Sequence, residues 1–133
     1  MKKVIFACIH GAGRSQMAAA FFNSLVAPGR AQAFAAGTEP AARVHPEVVT
    51  AMKEAGIDLS SAKPRLLTAE LASGAAILVT LGCGEQCPVV PCAEREDWPL
   101  PDPKGLPRAE VESVRDAIRD RVEAMLDRNG WRR

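Results

Sequence analysis

Val4-Ile5-Phe6-Ala7-Cys8-Ile9-His10-Gly11-Ala12-Gly13-Arg14-Ser15-Gln16-Met17 decides how this chain is read. Residues 4–7 form an unbroken apolar run, the pattern of a strand buried on both faces. Residues 10–13 read as a turn, and Ser15 opens a helix through residue 25, rich in Ala, Met and Leu. A cysteine therefore ends a buried strand, an arginine follows six residues later, and a hydroxyl stands at the helix start. Each residue has a use if the ligand is a tetrahedral oxyanion. Glycines let the backbone curl so that the N–H groups of Ile9, His10, Gly11, Ala12, Gly13 and Arg14 face one hole. The helix N-terminus adds free N–H donors and its positive end. The planar fork of Arg14 can clamp two oxygens at once.

The same field bears on Cys8. A free thiol is only about 3% ionised at neutral pH, whereas thiols at helix N-termini beside cations ionise more readily. Cys8 is thus the expected nucleophile, with Ser15 able to donate a hydrogen bond to its sulfur. Cys-x5-Arg spacing by itself carries little weight, because Lys and Arg make up 17 of 133 residues. The weight comes from strand, glycine loop, Arg-Ser and helix in that order. A dinucleotide loop is not the explanation, since Gly-x-Gly-x-x-Gly is absent.

Outward from this segment, strand and helix patterns alternate. Residues 31–36 read as a second strand, broken by Gly37. His45-Pro46 opens a second helix, with Val48, Val49, Met52 and Ala55 on one face and Gly56 as its stop. A short third helix falls within 64–73 and another buried strand at 75–81. Residues 82–97 are too irregular to assign. Residues 99–107 hold four prolines and are non-helical. Val111, Val114, Ile118, Val122 and Met125 then mark an amphipathic last helix. The expected architecture is α/β, three layers with a central four-stranded parallel sheet, and ligands bind such sheets at the carboxyl ends of the strands.

A chain of 133 residues with 47% hydrophobic content is read as one domain, 1–133, able to bury a core without disulfides or metals. A net charge of +1 argues against nucleic acid or a membrane surface as partner. No run approaches the ~20 apolar residues of a membrane span, and the apolar run after Met1-Lys2-Lys3 is too short for a signal peptide. The expected location is the cytoplasm. There, a permanent disulfide framework is a poor reading of four cysteines. Cys83, Cys87 and Cys92 fall within ten residues of one another, a cluster that suggests metal or redox chemistry. A zinc site there would lack a Cys-x2-Cys pair, and only His10 and His45 offer nitrogen ligands. The reading adopted has no metal and no cofactor. His10 is read as a loop scaffold and His45 as a helix-start residue.

The segment from Cys8 to Ala18 resembles the signature of arsenate reductases related to the low-molecular-weight protein tyrosine phosphatases. The resemblance continues through Ala36-Gly37-Thr38-Glu39-Pro40, His45-Pro46, Ile57-Asp58-Leu59-Ser60, Val79-Thr80-Leu81-Gly82-Cys83, Cys87-Pro88 and the Asp97-Trp98-Pro99-Leu100-Pro101-Asp102-Pro103 segment. It covers about residues 3–127. It implies that Asp102 is a general acid protonating the leaving oxygen as Cys8 attacks. It also implies a thiol relay from Cys8 to Cys83 to Cys87, opened by thioredoxin or by a small-thiol and glutaredoxin-type reductant. Cys92 is a third candidate for resolving Cys8. Arsenate is the implied substrate, with phosphate or sulfate as competing oxyanions. The chain departs from the family at Gly11, where an Asn often props the loop. Many relatives bind potassium through positions matching Gly11, Ala19 and Ala35, none of which offers a side-chain ligand here, so no potassium site is expected. The runner-up reading is a phosphotyrosine phosphatase using Cys8, Arg14 and Asp102. The absence of Tyr and the 5% aromatic content weigh against it. A sensor that holds an oxyanion without turnover is the non-enzymatic alternative.

Overall fold

The computed structural model describes residues 1–82 and 94–133. The elements run β1 (Lys2–Cys8), α1 (Arg14–Leu25), β2 (Ala31–Gly37), α2 (Pro46–Glu54), α3 (Ala69–Ala72), β3 (Ile77–Thr80), β4 (Glu94–Asp97) and α4 (Arg108–Asn129). The sheet has the order β2-β1-β3-β4, and all three pairings are parallel. This is the expected three-layer α/β/α arrangement around four parallel strands.

Alternation along β1 divides the core into two layers. Val4, Phe6 and Cys8 join Met17, Phe21 and Phe22 of α1, Met52 of α2, and Ile118, Val122 and Met125 of α4. Ile5 and Ala7 face the opposite way and meet Leu67, Ala72, Ala75 and Leu78. One face of the sheet is thus covered by three helices and the other by α3 with its flanking segments. Both faces of β1 are dry, which is why its sequence is apolar without alternation. Ile118 is fully buried, and its truncation to Ala would cost about 2–5 kcal/mol.

The helix boundaries have local causes. Pro46 occupies the first turn of α2, where its fixed φ suits the helix and its missing N–H costs nothing. Gly130 caps α4 in the left-handed conformation with φ 70°. Two features depart from the sequence reading. β2 runs through Gly37, which pairs with Cys8 instead of breaking the strand before it. The fourth strand, Glu94–Asp97, lies inside the stretch read as irregular. It carries four charges and no apolar residue, because it is an edge strand with mostly exposed side chains.

Parallel register aligns the strand ends: Cys8 opposite Gly37, Ala7 opposite Thr80, and Thr80 opposite Asp97. The loop after β1 therefore emerges on the same edge as Gly82 and the proline-rich segment that follows β4. No helix among the described residues is long and apolar enough to cross a membrane.

Candidate active site

The backbone between β1 and α1 is polarised. Every carbonyl from Cys8 to Gly13 is occupied. Thr38 N–H donates to Cys8 O at 3.2 Å, Glu39 N–H to Ile9 O at 2.7 Å and Ala41 N–H to His10 O at 3.0 Å. The Gln16 side-chain amide donates to Gly11 O at 2.8 Å. His45 N–H donates to Ala12 O at 3.0 Å, and Met17 N–H to Gly13 O at 3.1 Å. The N–H groups of Ile9, His10, Gly11, Ala12 and Gly13 have no acceptor among the described residues. Those of Arg14, Ser15 and Gln16 belong to the first turn of α1, whose N-cap Gly13 makes no side-chain hydrogen bond, and have no acceptor among the described residues. In a trans peptide the C=O and the following N–H point in opposite directions. Carbonyls drawn to one side leave the amides on the other, and an unbroken row of unpaired donors is an anion-binding surface.

Two glycines make this curl fit against β2. Gly11 has φ +59°, a conformation that L side chains rarely adopt. A Cβ on Gly37 would lie 2.5 Å from Gly11 N and 2.7 Å from His10 C, so backbone approaches backbone with no room for a side chain.

Cys8 and Ser15 are both buried, with Sγ and Oγ hydrogen-bonded at 3.1 Å. Arg14 is 6% exposed. Its Nη1 donates to Leu100 O at 2.8 Å, and its Nη2 lies 3.9 Å from Asp102 Oδ2. Its Nε is buried with no hydrogen-bond partner among the described residues. A buried, unpaired guanidinium donor costs free energy unless something accepts from it, which fits an anion in the cup. Asp102 is half-exposed, and its Oδ1 accepts from Lys104 N–H at 3.0 Å. The structure thus brings Cys8, Arg14, Ser15 and Asp102 to one end of the sheet.

His45, the residue preceding α2, turns its ring into this region. A Cβ on Gly13 would meet His45 Cδ2 at 3.3 Å and Pro103 Cγ at 3.4 Å, so ring and proline converge on the loop. Burial lowers the pKa of His45, Asp102 and Glu47 oppose that shift, and Lys104 and His10 add to it. His10 and His45 stack edge to face at 6.2 Å, and His10 Nδ1 lies 3.3 Å from Glu39 O.

Sequence reading named the loop, Arg14, Ser15 and Asp102 but missed four partners. Gln16 and the His45 N–H hold loop carbonyls, Leu100 O holds Arg14, and Gly82 packs on it. Gln16 sits inside the quoted motif, yet nothing in its spacing reveals that the first turn of a helix will reach back to Gly11. Cys83, Cys87 and Cys92 lie outside the described residues. Ala19 and Ala35 line a cavity of about 240 Å³ together with Gln16, Lys63 and Arg65. That lining contains two cationic side chains, two amide side chains and no carboxylate.

Residues 3–130 match the low molecular weight phosphotyrosine protein phosphatase family. The chain is 35% identical over 129 residues to the glutaredoxin arsenate reductase of Synechocystis, covering 95% of this chain and 97% of that one. A solved arsenate reductase in its phosphate-binding state superposes with a TM-score of 0.82 at 32% identity, covering 96% of this chain and 98% of the other. The thioredoxin-dependent arsenate reductase of Corynebacterium glutamicum superposes at 0.81 with 29% identity over 96% of this chain, which spans 61% of that longer protein. By the extent of these matches, the chain belongs to the low molecular weight phosphotyrosine protein phosphatase family.

Proposed function

We propose that this protein reduces arsenate to arsenite, with Cys8 as the nucleophile. The observation that carries the reading is the polarity of the loop: six consecutive carbonyls are drawn away while the amides beside them have no acceptor among the described residues. That arrangement suits an oxyanion, and relatives named arsenate reductases match the chain over nearly its whole length.

In the first step the Cys8 thiolate attacks arsenic. An S–As bond forms, an oxygen leaves as water with a proton from Asp102, and arsenic remains As(V). Arg14 and the loop amides neutralise the oxygens as charge shifts among them. In the second step the thiolate of Cys83 attacks the sulfur of Cys8. A disulfide forms, the S–As bond breaks with its electron pair going to arsenic, and arsenite departs as As(III). Cys87 then attacks Cys83, moving the disulfide and freeing Cys8. An external dithiol of the thioredoxin type, or a small thiol with a glutaredoxin-type protein, takes up the oxidising equivalents. Related proteins carry both kinds of name. Phosphate and sulfate compete for the cup.

The test is arsenite formation from arsenate with each reductant system in turn. Cys83→Ser should abolish turnover while leaving arsenate binding intact. Full activity in that variant removes the electron path. Efficient hydrolysis of para-nitrophenyl phosphate that ignores Cys83 would instead identify a phosphatase. Disulfides trapped in Cys87→Ser, mapped by mass spectrometry, assign the thiol that resolves Cys8.

A further inference from the structure

We propose that Gln16 is a positioning residue that sets the orientation of the Gly11–Ala12 peptide, and through it one donor of the oxyanion cup. This rests on the reading of the loop as an oxyanion site. Of the six loop carbonyls, five accept from backbone N–H groups: those of Thr38, Glu39 and Ala41 in the segment after β2, of His45 just before α2, and of Met17 in α1. Gly11 O alone depends on a side chain for its 2.8 Å bond. The donor is unambiguous: the same Gln16 nitrogen also lies 3.4 Å from Lys63 O, so it faces two carbonyl oxygens and must be the NH2 end. Gln16 is buried, and Lys63 and Arg65 are the charged groups lining the cavity beside it.

Peptide geometry gives this bond its leverage. With Gly11 O held by Gln16, the Ala12 N–H is directed the opposite way, with its neighbours. Gly11, at φ +59°, belongs to the residue type most able to adopt another backbone conformation. Without the Gln16 donor, rotation of this one peptide would remove an N–H from the cup and present a carbonyl lone pair to the anion. The neighbouring peptides are tied by main-chain bonds that no side-chain substitution removes.

The experiment measures sulfate affinity by the shift of the Ala12 amide resonance in the wild-type protein, Gln16→Met and Gln16→Glu, from about pH 5 to about pH 8. Sulfate keeps one charge state across this range. The charged groups on and around the loop and its neighbouring cavity, His10, His45, Asp102, Lys63 and Arg65, are the same in all three proteins, so affinity is read as the ratio to wild type. Gln16→Met should bind about ten- to a hundredfold more weakly, the worth of one hydrogen bond to a charged group. Gln16→Glu should be as weak at neutral pH, where a carboxylate cannot donate, and should recover as its carboxyl gains a proton and becomes a donor. Amide spectra of Gln16→Glu that keep their dispersion across the pH range show the variant folded throughout, so that recovery reports the regained donor and not refolding. Wild-type affinity in both variants at neutral pH overturns the assignment and leaves the oxyanion reading standing. Failure of the wild-type protein to bind sulfate or phosphate removes that reading and this proposal together.

Discussion

Gly82 packs so closely on Arg14 that a methyl group there would lie 2.5 Å from the guanidinium Nη1. Leu100 O, which accepts from that same nitrogen, would lie 3.4 Å from the methyl. The turn after β3 and the proline-rich segment therefore form a slot for the guanidinium, and the slot exists because position 82 has no side chain.

Gly82→Ala is accordingly expected to displace Arg14. It also places an L residue at φ +83°, a backbone cost of about 1–3 kcal/mol. Arsenate KM should rise about tenfold or more as the clamp loses its alignment. Steady-state kinetics beside a thermal melt would check this. An unchanged KM in a folded variant would mean that Arg14 is not held by this contact.

Ser15→Ala removes the hydroxyl 3.1 Å from Cys8 Sγ. The hydroxyl can rotate to donate once the sulfur carries charge. Its loss should slow alkylation of Cys8 by iodoacetamide at neutral pH about two- to tenfold, the range of a single neutral hydrogen bond. Thr38→Ser, which keeps the hydroxyl near Ile9 O, should leave the alkylation rate unchanged.

His45 links pH to stability. Burial, the leading cause, lowers its pKa in the folded protein below the ordinary 6.5. The unfolded chain then binds the proton more readily. The stabilising contribution is fully present above pH 6.5 and is lost as pH falls through the lower folded value. Denaturant melts of His45→Gln should show a shallower loss of stability on acidification than wild type. The difference in slope stays under about 1.4 kcal/mol per pH unit, the ceiling for one proton. Parallel curves would show that His45 does not contribute to the acid sensitivity.

Local pattern was sufficient for four elements: the unbroken apolar run of β1, the Ala-, Met- and Leu-rich stretch of α1, and the apolar faces of α2 and α4, whose spacing is written in the chain. It failed at β4, where an edge strand of Glu94, Arg95, Glu96 and Asp97 pairs through main-chain bonds that impose no hydrophobic pattern. Expectations for Cys83, Cys87 and Cys92 rest on family resemblance and not on geometry.

By itself, the order of residues determined the place of Cys8 at a strand end, the glycine curl and the arginine beside it, since all lie within a few residues and obey local rules. Only the tertiary structure decided which way the loop's peptides face. That choice belongs to Thr38, Glu39, Ala41 and His45, whose amides come from the segment between β2 and α2, and to Gln16 reaching back from α1. Hydrogen bonds between segments distant in sequence leave no periodic trace, because any residue but proline can supply the N–H.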